Sequence, residues 1–477
     1  MYADDFAQST DEYLENSGQF DEEGNRLVKN LDSNGRFHTD WLNMIYPRLK
    51  LAKDLLSDDG VIFISIDDNE VENLKKICDE VFGACSFIAC YLKQSKVGGG
   101  SDSKFVVKEH EYCLVYAKKI DMADEMFMEH DEEYLKRYKE EDENGRFFWD
   151  TFARPGLKNP IHYDIIAPDG TVMNYGWIHG KERYEEEVKK GLVRIIPKNG
   201  GGWSVQFKQY LNTNGKKPRS MTMDFGGSIE GKTDIGKLFE NEKIFSYPKS
   251  VKFIKTLLKT INDKNAVVLD FFPGSATTAH AVMQLNAEDG GQRKFIMVQL
   301  PEETEEKSEA YKAGYKNICE IGKERIRRAA KKIAEENPEA KFDGGFRVLK
   351  CDSSNMKEVY YNPAEYEPSL FSRLEDNIKE DRTPEDLLFQ VMLDLGVLLS
   401  SKIEETTIAG KKVFNVEDNY LIACFDDNVT EEVITEIAKQ KPYYFVMRDS
   451  SMANDSVATN FEQIFAAYSS ETVRKVL

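Results

Sequence analysis

The residues best suited to hold a ligand lie between Asp270 and Thr278. A short apolar run, residues 267–269, ends in Asp270, and a turn of small residues, 273–276, follows it. Thr277 then opens a helical pattern. A strand that feeds a small-residue loop into a helix N-terminus directs unpaired N–H groups at one point and lets a ligand approach the backbone. The stretch predicts a site for a nucleotide-like cofactor, although the same turn is a plain connection in many α/β domains.

This pattern resembles the S-adenosylmethionine-binding motif of amino DNA methyltransferases, and in particular that of the modification subunits of type III restriction-modification systems. The resemblance implies that the cofactor is held by Asp270, Phe271, Phe272, Gly274, Ser275, Ala276, Thr277 and Thr278. Many relatives carry Gly at the position of Ala276. Because Ala tolerates a positive φ poorly, we expect the loop to turn there with a negative φ.

A second candidate cofactor segment precedes this loop. Residues 247–259 predict a helix with apolar side chains on one face and four lysines on the other. In the resembled family the motif at this place helps to close the cofactor pocket, and Pro248 and Lys249 carry the resemblance. The lysine face is either an ordinary solvated surface or a track for DNA phosphates, in which case Lys252 and Lys255 contact DNA.

Two acidic residues near strand ends are further candidates for cofactor binding. Asp67 follows the buried strand pattern 61–66, and open α/β sheets bind ligands at the carboxyl ends of their strands. An equally good interpretation is that an aspartate here caps the next helix. The strand pattern 295–299 ends in Gln299, so the carboxylate predicted to accept hydrogen bonds from a cofactor ribose is Glu302. A charge placed at a helix N-terminus is the competing interpretation of Glu302.

The elements that must position these residues predict an α/β fold. From Thr39, a predicted N-cap, to residue 117, apolar strands alternate with amphipathic helices, which predicts a mostly parallel sheet with helices on both faces. The resemblance implies a Rossmann-like, S-adenosylmethionine-dependent methyltransferase sheet with an inserted target-recognition domain and a small C-terminal α/β domain. The implied boundaries are 1–119 for part of the catalytic half, 120–240 for the insertion, 241–335 for the cofactor half and 346–477 for the C-terminal domain, which in the family serves assembly and DNA contact.

The inserted segment is where we expect DNA to be recognised. Between residues 120 and 240, Arg and Lys alternate with aromatic residues and glycine turns, a composition suited to phosphate contact and base stacking. An irregular insertion with a small aromatic core fits that composition equally well, and the position of the segment within the resembled family favours target recognition. The predicted DNA contacts in it are Arg154, Lys158, Lys216, Lys217 and Arg219.

The composition limits the classes of function. A net charge of −20 over 477 residues argues against a protein that coats nucleic acid non-specifically, but it allows an enzyme with one basic channel. The seven cysteines form no C-x-x-C pair and indicate neither a disulfide framework nor a metal site. No apolar run is long enough to span a membrane, and the first residues are acidic, so we expect a cytoplasmic protein. The lack of G-x-G-x-x-G in the loop disfavours a nicotinamide-dependent oxidoreductase.

The resemblance also reveals one absence. Amino DNA methyltransferases grip the flipped base with a D-P-P-Y motif or a close variant, whose Asp side chain and Pro carbonyl accept hydrogen bonds from the exocyclic amine. D-P-P-Y, N-P-P-Y and S-P-P-Y do not occur in the sequence. In the family this motif comes shortly before the segment equivalent to residues 2–6. We therefore expect a chain that is truncated at its N-terminus, has no catalytic residue of its own and is inactive alone.

The function implied by the resemblance is that of a site-specific DNA adenine-N6 methyltransferase. The chain would be the modification subunit of a type III system and would use S-adenosyl-L-methionine to methylate a short recognition sequence. The alternative is a non-catalytic subunit for DNA recognition or assembly. The implied partners are double-stranded DNA, a second copy of the chain and a restriction subunit with helicase and nuclease activity.

Overall fold

The computed structural model describes residues 37–95, 104–154, 156–198, 200–222, 226–357, 378–453 and 455–477. The chain forms two compact units, Met1–Phe346 and Arg347–Leu477. Both contain helices and sheets, which confirms the predicted α/β class. Within the described ranges, no helix has the length and apolar character needed to cross a membrane.

The first sheet of unit 1 has the strand order β1-β3-β2-β10. Its strands and the helices beside them are α1 (Phe37–Leu55), β1 (Val61–Ile66), α2 (Val71–Phe82), β2 (Phe87–Gln94), β3 (His110–Ala117) and β10 (Met221–Thr222). β3 pairs antiparallel with both β1 and β2, and β10 pairs parallel with β2. The prediction of a mostly parallel sheet is wrong here. The described part of the β2–β3 connection contains no helix, and a parallel pair needs a long, usually helical, crossover.

Two helices cover this sheet and form a core with it. Ile45 and Leu49 of α1 and Leu74 of α2 are buried together with Tyr116 of β3. The predicted N-cap Thr39 is wrong, because the helix already includes Phe37 and Thr39 lies inside it. The sequence also predicts an amphipathic helix from Glu70 to Phe82 that is ended by Gly83, and the helix end at Gly83 is confirmed.

The next segment of unit 1 is a small, mainly antiparallel structure. Its elements are α3 (Glu132–Leu135), β4 (Glu140–Asp142), β5 (Gly145–Thr151), β6 (Ile165–Ile166), β7 (Val172–Met173), α4 (Lys181–Lys189), β8 (Val193–Pro197) and β9 (Trp203–Tyr210). The sheet order is β4-β5-β9-β8, and β6 pairs with β7. Phe152, Trp177 and Phe207 fill its interior. The small aromatic core that the composition allowed is therefore present.

The last part of unit 1 carries the predicted cofactor loop. Its elements are α5 (Ser228–Phe239), α6 (Val251–Thr260), β11 (Val267–Asp270), α7 (Thr277–Asp289), β12 (Lys294–Met297), α8 (Glu309–Lys312) and α9 (Ile318–Glu336). β11 and β12 pair in parallel, with Asp270 opposite Met297. α7 is buried along most of its length and packs against α6, α9 and β12. The strand, loop and helix predicted around Asp270 are thus confirmed.

Unit 2 is a second, smaller α/β structure. Its elements are α10 (Pro384–Asp394), β13 (Ile403–Ile408), β14 (Lys411–Val416), β15 (Leu421–Cys424), α11 (Glu431–Lys439), β16 (Tyr444–Met447), α12 (Asp455–Tyr468) and β17 (Val473–Val476). The strands follow one another in chain order, antiparallel from β13 to β15 and parallel from β15 to β17. In the sequence, residues 383–386 predict a capping box with Pro at the first helical position, and the reciprocal bonds between Thr383 and Asp386 confirm it.

Candidate functional site

Asp270 organises the loop between β11 and α7. Its Oδ1 accepts a hydrogen bond from the Phe272 amide at 3.0 Å, and its Oδ2 accepts one from the Thr278 hydroxyl at 2.5 Å. Inside the turn, the Ala276 amide donates to the Pro273 carbonyl at 2.8 Å. The carboxylate therefore ties the end of the strand to the first turn of the helix and holds the loop closed.

The backbone at Ala276 is left-handed, with φ 59° and ψ 41°. The prediction of a negative φ at this residue is wrong. The loop turns at Ala276 as it would with Gly. A left-handed backbone is unfavourable for Ala, but the residues on either side are fixed and the Ala276 methyl group faces Gly322, which has no side chain. A Cβ atom placed on Gly322 would lie 3.5 Å from the Ala276 Cβ, so the two helices approach closely here.

Ser275 and Thr277 point into the protein, towards Arg325 of α9. The Arg325 Nη1 atom donates to the Ser275 Oγ and the Thr277 Oγ1 atoms, both at 2.7 Å. Burial lowers the pKa of Arg325 to about 10, so the guanidinium is still protonated at neutral pH. These two hydroxyls, predicted as cofactor contacts, thus hold the loop to the protein.

Arg325 was missed as a site residue, although the sequence carries a signal for it. It lies on the four-residue stripe Ile321, Arg325, Ala329 and Ile333, whose other members are apolar and buried. A charged residue on an apolar helix face is a departure from the usual amphipathic pattern. Such a departure indicates a buried partner.

Gln299, just beyond β12, contacts the loop directly. Its Oε1 atom accepts a hydrogen bond from the Gly274 amide at 2.9 Å. Glu302, predicted as the ribose ligand, has an exposed side chain, while its carbonyl accepts from the Ile318 amide at the start of α9. The strand end thus supplies one residue that shapes the loop and one free carboxylate three positions later. The assignment of Glu302 to a ribose stays a prediction.

The outer surface of the loop is formed by Phe271, Phe272 and Gly274. Phe272 is 54% exposed, and its ring lies 5.3 Å from that of Phe271. Gly274 has φ 51°, and a side chain on it would meet the ring of Phe245 at 3.0 Å. The first N–H groups of α7 have no carbonyl partner within their own helix. These residues together fit a ligand that has a carboxylate and an aromatic ring.

Lys249, which the resemblance implies helps to close the cofactor pocket, takes part in an ion cluster. Its Nζ atom lies 2.6 Å from the Glu111 Oε2 atom, and the buried Lys93 lies 3.7 Å from the same oxygen. Burial opposes the charge of Glu111, but the two ammonium groups outweigh it and hold the Glu111 pKa below its usual value. Burial also lowers the pKa of Lys93. Lys249 and the adjacent Pro248 are thereby fixed against the first residues of β3, and the Pro248 carbonyl packs closely on Gly231.

Asp67 closes a turn of its own. Its two carboxylate oxygens accept hydrogen bonds from the backbone and side-chain amides of Asn69, at 3.0 and 3.1 Å. The N-cap of α2 is Glu70, so the interpretation of Asp67 as the capping residue is wrong. Its role in cofactor binding stays a prediction.

The predicted lysine face of α6 is largely paired with carboxylates from other elements. Lys255 bonds to Glu288 of α7, and Lys259 lies 3.3 Å from Glu129. Lys252 is exposed. Because Lys255 and Lys259 pair with carboxylates, the lysine face of α6 carries less free positive charge for a DNA phosphate than the sequence indicates. The DNA contacts of Lys252 and Lys255 stay predictions.

The basic residues predicted to contact DNA in the 120–240 segment fall into two groups. Lys216, Lys217 and Arg154 form ion pairs, with Asp131, Glu125 and Asp150 respectively. Lys158 and Arg219 have exposed side chains. All five lie on loops, either between β5 and β6 or between β9 and β10.

Residues 226–233 match the spacing G-x-x-x-x-G-K-[ST] of a phosphate-binding loop, so the expectation that the sequence lacks this motif and thereby excludes an NTPase is wrong in its premise. The structure does not form such a loop there. α5 already begins at Ser228, and a Cβ atom on Gly231 would lie only 2.2 Å from the Pro248 carbonyl oxygen. The second glycine is thus needed for close helix packing, and its environment has no room for a nucleotide phosphate.

Comparison with known proteins places these features in a family. The family model N6_N4_Mtase, described as DNA methylase, matches residues 15–332. The chain is 40% identical over 319 residues to the Mod subunit of the type III restriction-modification enzyme StyLTI of Salmonella typhimurium, which covers 65% of this chain and 48% of that protein. It is 30% identical over 474 residues to the EcoPI Mod subunit of Escherichia phage P1, covering 92% of this chain and 72% of that one.

Among solved structures, the chain is similar to PvuII DNA methyltransferase, which is cytosine-N4-specific, at 11% identity and a TM-score of 0.31. The similarity covers 64% of this chain and 82% of that one. The chain spans about half the length of the Salmonella relative in its matched region.

Proposed function

The chain belongs to the DNA methylase family, among the Mod subunits of type III restriction-modification enzymes, and on this premise we propose that it serves the site-specific methylation of adenine N6 in double-stranded DNA. S-adenosyl-L-methionine is the proposed methyl donor. The observation that carries the proposal is the loop from Asp270 to Thr278, which is closed by its own carboxylate and ends at the N-terminus of a buried helix.

The proposed cofactor contacts divide by chemistry. The first N–H groups of α7 suit the carboxylate of the cofactor, because a helix N-terminus favours negative charge. The free carboxylate of Glu302 suits the two ribose hydroxyls, and the exposed ring of Phe272 suits the adenine face. Ser275, Thr277 and Thr278 contribute by fixing the backbone of the loop.

The bound cofactor supplies an electrophilic methyl group for transfer to a nitrogen nucleophile. The role of this chain is to hold and orient the cofactor. The loop fixes the methyl donor in place, and correct positioning lowers the barrier of methyl transfer. The gripping motif of amino methyltransferases is not among the 477 residues.

We assign DNA recognition to the 120–240 segment, with exposed Lys158 and Arg219 as direct phosphate contacts. The family relationship supports a restriction subunit as partner, and we propose that the chain also pairs with a second copy of itself. The C-terminal unit is proposed to serve assembly and DNA contact.

A non-catalytic subunit for DNA recognition or assembly is the second candidate, favoured by the exposed basic residues Lys158 and Arg219 of the 120–240 segment. The two candidates differ in their need for cofactor. A methyltransferase subunit binds S-adenosylmethionine through the loop, whereas a recognition subunit binds DNA with no dependence on the cofactor.

Isothermal titration calorimetry of the whole chain with S-adenosylmethionine tests the proposal. We expect one site per chain, with its affinity reduced by Gly274→Val, because a side chain there meets Phe245 and the φ of 51° strains it. Gly410→Val in unit 2 is the matched control, since Gly410 also has a positive φ but lies outside the proposed site. A wild-type chain that is folded by circular dichroism and takes up no cofactor contradicts the proposal.

A further inference from the structure

Arg325 is a buried cation that donates hydrogen bonds to both neighbours of Ala276, whose backbone is left-handed. A single nitrogen, Nη1, reaches Ser275 and Thr277, the two neighbours of Ala276, across 50 and 48 positions of sequence. We propose that Arg325 is a positioning residue that holds Ala276 of the cofactor loop in its left-handed conformation. That the ligand of this loop is S-adenosylmethionine rests on the proposed function.

Ala276 needs such a restraint. L-residues other than glycine avoid the left-handed region, because their Cβ atom approaches the following carbonyl. A non-glycine residue remains there only when its surroundings fix it. Fixing the side chains on both sides of Ala276 restricts the two peptide groups that define its φ and ψ. The Ala276 amide bond to Pro273 adds a third restraint.

Arg325 is not placed there for packing alone. Its side chain is fully buried, and its Nε and Nη2 atoms have no hydrogen-bond partner within the described residues. It also lies at the positive end of α7, where a second positive charge is unfavourable. An apolar side chain of similar volume would avoid both costs. The bonds to the two hydroxyls are the contacts that such a residue could not make.

The test is a double-mutant cycle between Arg325 and Ala276, with S-adenosylmethionine affinity measured by calorimetry on the whole chain. Arg325→Met removes both hydrogen bonds to the loop and should weaken binding about tenfold or more. Ala276→Gly alone should change affinity less than about threefold. In the double variant, glycine adopts the left-handed turn without help, so affinity should return to within about threefold of the Ala276→Gly chain.

Two controls separate positioning from general stability. Ala279→Gly places a glycine at another buried position of α7, in helical conformation, and should not restore binding to Arg325→Met. Arg293→Met removes the other buried arginine beside α7, which bonds to Asp289 at the far end of the helix, and should lower the melting temperature without changing cofactor affinity. DNA affinity should be unchanged in Arg325→Met, whereas a general structural role would lower both affinities.

The inference is overturned if Arg325→Met binds the cofactor as the wild type does, or if Ala276→Gly restores no more affinity than Ala279→Gly. Should Arg325→Met not fold, the cycle is run with one acceptor removed instead, as Thr277→Val, so that Arg325 keeps its hydrogen bond to Ser275. A wild-type chain that binds no cofactor refutes the proposed function and leaves this inference testable. Thermal unfolding of the same variants then decides it, since the loss in melting temperature caused by Arg325→Met should be smaller with Gly at position 276.

Discussion

The Thr278 hydroxyl donates a hydrogen bond to Asp270 Oδ2 at 2.5 Å, joining the last residue of β11 to the second residue of α7. This bond closes the loop that we propose to bind S-adenosylmethionine. The loop is therefore expected to keep its shape in the absence of the ligand, so little ordering is needed on binding.

Removal of this bond should weaken cofactor binding. Thr278→Val leaves Asp270 Oδ2 without its donor, and we expect about a tenfold loss of affinity, or about 1.4 kcal/mol. Thr256→Val is the matched control, because the Thr256 hydroxyl donates within α6 to the Lys252 carbonyl. Calorimetry with S-adenosylmethionine measures both. Equal losses in the two variants would assign the effect to general destabilisation.

Gln299 and Glu302 should affect binding in different ways. Gln299→Leu leaves the Gly274 amide without its acceptor, so both the melting temperature and the cofactor affinity should fall. Glu302→Gln changes an exposed carboxylate and should reduce affinity about tenfold with no change in melting temperature. Exposed Glu306 provides the control as Glu306→Gln. If Glu302→Gln binds as tightly as Glu306→Gln, the ribose assignment is wrong.

Glu111 should be necessary for the stability of unit 1. Glu111→Gln leaves the buried Lys93 beside Lys249 with no carboxylate between them, and we expect the free energy of unfolding to fall by about 3 kcal/mol. Glu129→Gln breaks the exposed pair with Lys259 and should cost about 0.5 kcal/mol or less. Urea unfolding of both variants gives the comparison. Similar losses would show that the cluster is energetically a surface pair.

The stability of unit 1 should depend on pH through His280. Burial, with the positive charges of Arg325, Lys332 and Lys255, lowers the pKa of His280 from 6.5 to about 3. The unfolded chain binds a proton near pH 6.5 while the folded chain does not. The contribution of neutral His280 to the free energy of unfolding is therefore complete above pH 6.5. It is lost as pH falls towards 3, by at most about 1.4 kcal/mol per pH unit.

Urea unfolding at pH 7, 6 and 5 measures this dependence. His280→Gln should have a flatter curve than the wild type over that range. His162→Gln, at an exposed histidine, should keep the wild-type slope. The explanation fails if the slope is the same in all three chains.

The exposed basic residues of the 120–240 segment should contribute to DNA binding. Lys158→Ala and Arg219→Ala should each weaken binding and lower the slope of log K against log salt by about 1, because each is proposed to neutralise one phosphate. Lys189→Ala is the control, since Lys189 is exposed on α4 among four glutamates. Fluorescence anisotropy over a series of salt concentrations gives the slopes. An unchanged slope in both variants would exclude these residues from the interface.

Local patterns determined much of this protein before any tertiary contact was known. The loop that begins at Asp270, the capping box at Thr383 and the two-faced helix α6 all follow from residues a few positions apart, because capping bonds and helical periodicity act over that distance. The motif resemblance also identified the family.

Only the tertiary structure decided where the side chains of the loop point. Ser275 and Thr277 turn inward because Arg325 reaches them from a helix some fifty residues away, and the same contacts allow Ala276 its left-handed turn. Local patterns could likewise predict neither the antiparallel pairing of β3 nor the ion pair between Lys249 and Glu111. Contacts between distant residues depend on how whole elements pack, and packing depends on the entire chain at once.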